Sequence, residues 1–322
     1  MTSAPKSSGP APAGARTAAG GDALRRAASG GEVLGIVGAP LALAAKLVER
    51  GGFDAVYLSG AAFSAGTLGV PDIGLFTRDQ LVEQTRILAR ATSLPLVVDA
   101  DTGFGGPREV EETVRLLEAA GAAAIQLEDQ LGADKRCGHL VGKQVVDAAE
   151  MMDKLAAATA GRRDPGTVII GRSDARGVHG LDDCIRRLHA YRAGGADWLF
   201  PEALASRAEF ARVGREFAGS APLLANMTEF GTSPLISIPD LAAAGFAAVL
   251  YPVTLLRLAM KAMEAGLAVL AADGTQESLL DLMQSREELY DLLDYDPQHP
   301  ERHRRRERSE EHVEDAVGVR RL

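Results

Sequence analysis

The stretch "EAAGAAAIQLED", Glu118–Asp129, holds the end of one structural element, the whole of the next and a chemically active tip. Gly121 after an Ala/Leu/Glu-rich stretch reads as the left-handed cap that ends a helix. The apolar run that follows reads as a buried strand, and Glu128 and Asp129 close it. "RAGGADWLFPE" and "AAAGFAAVLYP" repeat the pattern. Eight such runs occur, at 33–39, 54–60, 95–101, 123–129, 167–174, 197–202, 222–228 and 246–252. Strands alternating with helices imply a parallel sheet, and eight units in this length predict an α/β fold, a closed (β/α)8 barrel of TIM type.

Polar residues gather where these runs end: Ser59, Asp99 with Asp101, Glu128 with Asp129, Arg172 with Asp174, Glu202, Asn226 with Thr228, and Tyr251-Pro252. Helix capping explains one or two of them. It does not explain glutamates, an arginine and paired aspartates on seven successive strands. In a barrel all these tips meet on one face, so a site is predicted there. Beyond residue 252, helical stretches at 254–274 and 277–295 are split by Gly274. The barrel needs one of them. The other is expected to pack on a second subunit.

The 322 residues carry 46% hydrophobic and 25% charged side chains and a net charge of −9. That balance predicts a globular domain, and with no run of 18 apolar residues no membrane association is expected. An acidic surface argues against nucleic acid as a partner. The basic "ERHRRRER" at 301–308 is offset at once by "SEEHVED". Residues 1–22, rich in Ala, Pro, Gly and Ser, read as a disordered leader, 23–295 as the barrel with its C-terminal helices, and 296–322 as a charged tail. Two cysteines make no disulfide framework, so a reducing compartment, the cytoplasm, is expected.

Asp99 and Asp101 lie two apart on a strand and therefore share a face. Two carboxylates without His or Cys suit Mg2+, or Mn2+, better than zinc. Cations on the same rim, Arg172 above all, imply an anionic substrate, since guanidinium groups hold carboxylates bidentately, whereas Arg257 and Arg286 taken alone read rather as surface ion-pairing residues. Cys137 sits in "DKRCGH", where Lys135, Arg136 and His139 favour the thiolate and fit it to donate a proton or attack. Cys184, inside a helical stretch, reads as packing.

"YLSGAAFSAGTLGVPDIG", "VDADTGFG", "LEDQ", "KRCGH", "LFPEAL", "NMTEFG", "YPVTLLRLAM" and "MQSREELY" together resemble the isocitrate lyase and phosphoenolpyruvate mutase superfamily, in its methylisocitrate lyase branch. The resemblance covers about residues 30–295. It implies a carbon–carbon lyase that cleaves 2-methylisocitrate to pyruvate and succinate in propionate catabolism by the methylcitrate cycle, as a tetramer with its last helix exchanged. It further implies Mg2+ near Asp99 and Asp101, with Asp72 and Glu128 behind them. Ser59, Gly60, Ala61, Gly138, His139, Arg172, Glu202, Asn226, Met227, Thr228, Arg257 and Arg286 would bind substrate, Lys135 and Arg136 would supply loop cations, and Cys137 would be the acid. Tyr57 is the candidate base, with metal-linked carboxylates as competitors. Two competing readings are an enzyme for a related dicarboxylate (isocitrate, dimethylmalate or oxaloacetate) and a non-catalytic metabolite-binding barrel. Intact Cys137, Asp99 and Asp101 count against the latter.

Overall fold

Alternation along short strands decides where every important side chain points. The computed structural model describes residues 13–132, 135–136, 139–140 and 142–302, with backbone alone for 13–19. The eight apolar runs form β1 (Leu34–Gly38), β2 (Ala55–Leu58), β3 (Leu96–Asp99), β4 (Ala124–Glu128), β5 (Val168–Ser173), β6 (Trp198–Pro201), β7 (Leu224–Asn226) and β8 (Ala248–Tyr251). All pairs are parallel and neighbours in space are neighbours in sequence, β6-β5-β4-β3-β2-β1-β8-β7. A single parallel bridge, Leu199 to Leu223, brings β6 against the start of β7 and all but closes the ring. The expected (β/α)8 architecture is therefore present.

Helices α1 (Ala13–Ala28), α2 (Ala42–Arg50), α3 (Gly60–Phe63), α4 (Arg78–Ala91), α5 (Pro107–Ala119), α6 (Ala148–Gly161), α7 (Arg176–His179), α8 (Leu181–Ala193), α9 (Arg207–Glu216) and α10 (Ile238–Ala243) lie between or ahead of the strands. Their starts are chemically marked. Thr77 and Gln80 form a reciprocal capping box on α4, Pro107 opens α5, and Ser206 and Ser237 cap α9 and α10.

One set of alternate strand residues, including Val56, Val98, Ile125, Leu127, Ile169, Leu199 and Val249, packs outward on the helices. The other set, including Ile36, Tyr57, Val97, Ala124, Ile170, Trp198, Phe200, Leu224 and Leu250, fills the interior. Continuing that inward set toward the strand C-termini gives Asp99, Gln126, Glu128, Arg172, Glu202 and Asn226. The site is thus the uppermost layer of the barrel's own core.

The opposite end is plugged by α1. Leu24, 1% exposed, joins the interior cluster, and Arg25 donates to Gly166 O (3.0 Å) and pairs with Asp197 (2.9 Å). A Cβ on Gly21 would stand 2.2 Å from Gly166 O, so that crossing requires glycine. Helix α1 starts ten residues inside the segment expected as a disordered leader. Gly20 and Gly21 serve close packing, against Ala123 and Gly166; residues 1–12 lie outside the described residues.

The C-terminal region departs from the expected pair of long helices. Helix α11 (Thr254–Asp273) ends at Gly274, but the second stretch divides into a 3-10 turn, Glu277–Leu282, and α12 (Arg286–Leu292), restarted by a capping box at Ser285. The surplus apolar surface begins already on α11, none of whose residues is buried. Leu258, Met260, Met263, Leu267 and Leu270 are all exposed on it. Among the described residues no helix is long and apolar enough to cross a membrane.

Candidate active site

Asp99, Asp101 and Glu128 bring carboxylate oxygens within 4.8 Å of one another, all buried. Gln126 fixes the first of them, donating from Nε2 to Asp99 Oδ1 (3.1 Å), and the Gly60 N–H donates to Asp99 Oδ2 (3.2 Å). Asp101 takes a left-handed backbone (φ 51°), a strained conformation for a residue with a side chain. Burial, then the charges of Asp99 and Asp72, push the Asp101 carboxyl up to about 7 against the opposing pull of Lys135. Burial raises Glu128 as well, and its Oε1 is buried without a hydrogen-bond partner. Three crowded oxygen donors of this kind fit a hard divalent cation. Glu128 therefore belongs to the cluster and not behind it, whereas Asp72 stands outside and bonds Lys135 Nζ (2.5 Å).

Above the cluster, Arg172 is the central cation. Its Nε donates to Asp174 Oδ2 (2.8 Å), its Nη1 lies 3.2 Å from Glu202 Oε2, and its Nε lies 3.3 Å from Glu128 Oε2. Burial opposes the charge, but Asp174, Glu128 and Glu202 outweigh it and raise the pKa further. Asp174 also accepts from Lys143 Nζ (2.7 Å), while its own N–H donates to Asp129 Oδ1 (2.8 Å). Asp129 in turn accepts from Tyr191 (2.6 Å) and Ser173 (2.8 Å). A buried arginine held on several sides is a rigid carboxylate clamp.

Glu202 is fully buried. Burial would raise its carboxyl, but the Arg172 charge, the His139 hydrogen bond and the charges of His139 and Lys143 hold it well below the usual range. His139 Nε2 stands 2.7 Å from Glu202 Oε1, and Asn226 Nδ2 donates to both Glu202 oxygens (3.3 and 3.2 Å). These groups enclose a cavity of about 600 Å³ counted out to its mouth.

Of the residues expected in the site, Tyr57, Ser59, Ala61, Asp72, Asp99, Glu128, Lys135, Arg136, His139, Arg172, Glu202, Asn226, Thr228 and Arg257 line that cavity. Gly60 lies beneath it, 3.1 Å from Asp101 by its missing Cβ. Met227 does not reach it: it packs in the outer core, its sulfur taking the Ile236 N–H (3.2 Å). Arg286 is exposed at the start of α12, away from the cavity lining. Lys135 is committed to the acidic cluster, 2.7 Å from Asp101 Oδ1. Tyr57 is 1% exposed and donates to Gln126 Oε1 (2.8 Å). Burial and the Asp99 charge push its pKa upward, against the ionisation that the expected base role would require. Cys137 and Gly138 lie outside the described residues. Cys184 is buried, as its helical context predicts.

Sequence reading missed Gln126, Lys143, Phe200 and Leu250. Gln126 was recoverable, since it lies two residues before Glu128 on the same strand and so shares its face. Lys143 meets Asp174 across 31 residues, a pairing no local pattern announces.

Comparison with known proteins places the geometry in context. Residues 24–271 match the family model described as phosphoenolpyruvate phosphomutase. A 2-methylisocitrate lyase of Aeropyrum pernix is 49% identical over 253 residues, 78% of this chain and 80% of that protein. A probable 2-methylisocitrate lyase 1 of Corynebacterium glutamicum is 48% identical over 274 residues, 85% of this chain and 89% of its own. Among solved structures, a phosphonopyruvate hydrolase complex with oxalate and Mg++ superposes with a TM-score of 0.77 at 31% identity, covering 88% of this chain and 96% of that one.

Proposed function

Because the chain belongs to the phosphoenolpyruvate mutase and isocitrate lyase superfamily, we propose that its cavity cleaves 2-methylisocitrate to pyruvate and succinate with Mg2+ as the metal. The observation that carries the reading is a buried carboxylate cluster, two of whose members, Asp99 and Glu128, line one cavity together with a buried Arg172, so that a polyanion can bridge them. Bound by Asp99, Asp101 and Glu128, Mg2+ would act as a Lewis acid toward the substrate's hydroxyl and adjacent carboxylate.

The protein's own groups do the rest. Arg172, kept in place by Asp174, and Asn226, kept in place by Glu202, hold carboxylates, with Ser59, Ala61, Thr228 and Arg257 around them. The hydroxyl proton passes to a carboxylate of the cluster, because Tyr57 is held as a donor. The bond between the hydroxyl-bearing carbon and its neighbour breaks, leaving pyruvate's carbonyl. Its electron pair moves onto the succinate portion as an aci-carboxylate. Cys137 then gives its thiol proton to that carbon, and solvent restores the thiol by returning the first proton.

The reading extends to propionate catabolism through the methylcitrate cycle in the cytoplasm. It extends also to a homotetramer in which a second copy covers the exposed apolar face of α11. In such an assembly Arg286 would serve a neighbouring cavity. The test is a substrate panel of 2-methylisocitrate, isocitrate and 2,3-dimethylmalate, with products resolved by chromatography. Succinate and pyruvate from the first, faster than any product from the others, supports the assignment; preferential cleavage of either competitor overturns it.

A further inference from the structure

The turn after β7, Glu229–Thr232, touches two groups of the cavity from different sides. We infer that this turn is a positioning element, fixing His139 through Gly231 and Thr232 and Arg257 through Glu229 and Phe230. The inference rests on the lyase reading, since these are groups that would hold its substrate.

On one side, the Thr232 N–H donates to His139 Nδ1 (2.9 Å). A nitrogen that accepts carries no proton, so the ring proton sits on Nε2, where it donates to Glu202 Oε1 (2.7 Å). The turn thereby sets the imidazole tautomer as well as its place. Gly231 makes the approach sterically feasible: a Cβ there would lie 2.5 Å from Nδ1 and 2.9 Å from Cε1 and Cγ.

On the other side, Arg257 Cζ sits 5.3 Å from the Phe230 ring centroid, and its Nε lies 3.6 Å from Glu229 Oε2. The Thr254 hydroxyl, at the first residue of α11, donates to Glu229 Oε1. Phe230 is 93% exposed and adopts a left-handed backbone (φ 60°). An exposed aromatic in that conformation gains nothing from burial, and its backbone is disfavoured. Its place over the guanidinium explains why a large ring stands there.

Two variants test this. Gly231→Ala, with selective 15N-histidine labelling, is read for the tautomer, the His139 resonance being identified by its loss in His139→Gln. The wild type is expected to show a protonated Nε2 and a bare Nδ1. Gly231→Ala is expected to lose that signature and about 100-fold in kcat at an unchanged melting temperature. Phe230→Ala is expected to raise KM about two- to fivefold with kcat within twofold. A Gly231→Ala protein that keeps the signature, or keeps kcat within twofold, overturns the first half. A Phe230→Ala protein with unchanged KM overturns the second; should Gly231→Ala not fold, the wild-type tautomer decides the first, a protonated Nδ1 on His139 overturning it. The tautomer is read without substrate, so it stands apart from any failure of wild-type cleavage.

Discussion

Lys135 reaches into the acidic cluster, its Nζ pairing with Asp101 Oδ1 at 2.7 Å. The same amine bonds Asp72 Oδ1 at 2.5 Å. A lysine in this position neutralises the carboxylates that a divalent cation would otherwise share. Replacing it with methionine is expected to tighten Mn2+ binding about fivefold or more, measured by calorimetry. Unchanged or weaker affinity would show that Lys135 does not compete for the cluster.

The two cysteines are expected to separate cleanly. Cys184 is fully buried, and burial, then the Asp129 charge, pushes its thiol up to about 12. At pH 8 about one part in ten thousand is thiolate, so it should resist iodoacetamide. Peptide mass spectrometry on the native protein should find label on Cys137 alone, and on both residues in guanidinium. Cys137→Ser should lose orders of magnitude in turnover with its circular dichroism unchanged. Turnover near wild type would remove the acid role from this thiol.

Acid sensitivity should be traceable to Glu202. Its folded pKa lies below the unfolded value of about 4.3, so the folded state holds fewer protons there. The stability it contributes is complete above that value and falls away as pH drops toward the folded one. In Glu202→Gln this component is absent, so its urea midpoint should fall less steeply between pH 6 and pH 3 than the wild type's. Parallel slopes in the two proteins would contradict the assignment.

At the other end of the barrel, Leu24→Ala empties the contact between α1 and the interior column. A cost of about 2–4 kcal/mol in urea unfolding is expected, as for other large-to-small changes in a packed core. A cost below about 0.5 kcal/mol would mean that α1 lies on the barrel without plugging it.

The eight strands were legible because each is a short, fully buried apolar run with a helix-ending glycine or a polar tip beside it. Asp99, Glu128, Arg172, Glu202 and Asn226 were legible for the same reason, being strand-end residues that a barrel must gather. Helix α1 was not, since Ala and Gly read as disorder until Gly21 is seen against Gly166. Nor were the pairings of His139 with Glu202 and of Lys143 with Asp174, which join loops to distant strands and leave no periodic trace. The upward pKa shift of Tyr57 comes from total burial beside Asp99, a property of the assembled core and not of the "YLSG" motif.

The most direct test of the whole account couples pyruvate formation from 2-methylisocitrate to lactate dehydrogenase, first with Mg2+, then after chelation, then with Mg2+ restored. The expected result is steady pyruvate release that drops at least about 100-fold on chelation and returns with the metal. Release untouched by the chelator, or no release from 2-methylisocitrate in the presence of Mg2+, would contradict a metal-dependent lyase site built from Asp99, Asp101 and Glu128.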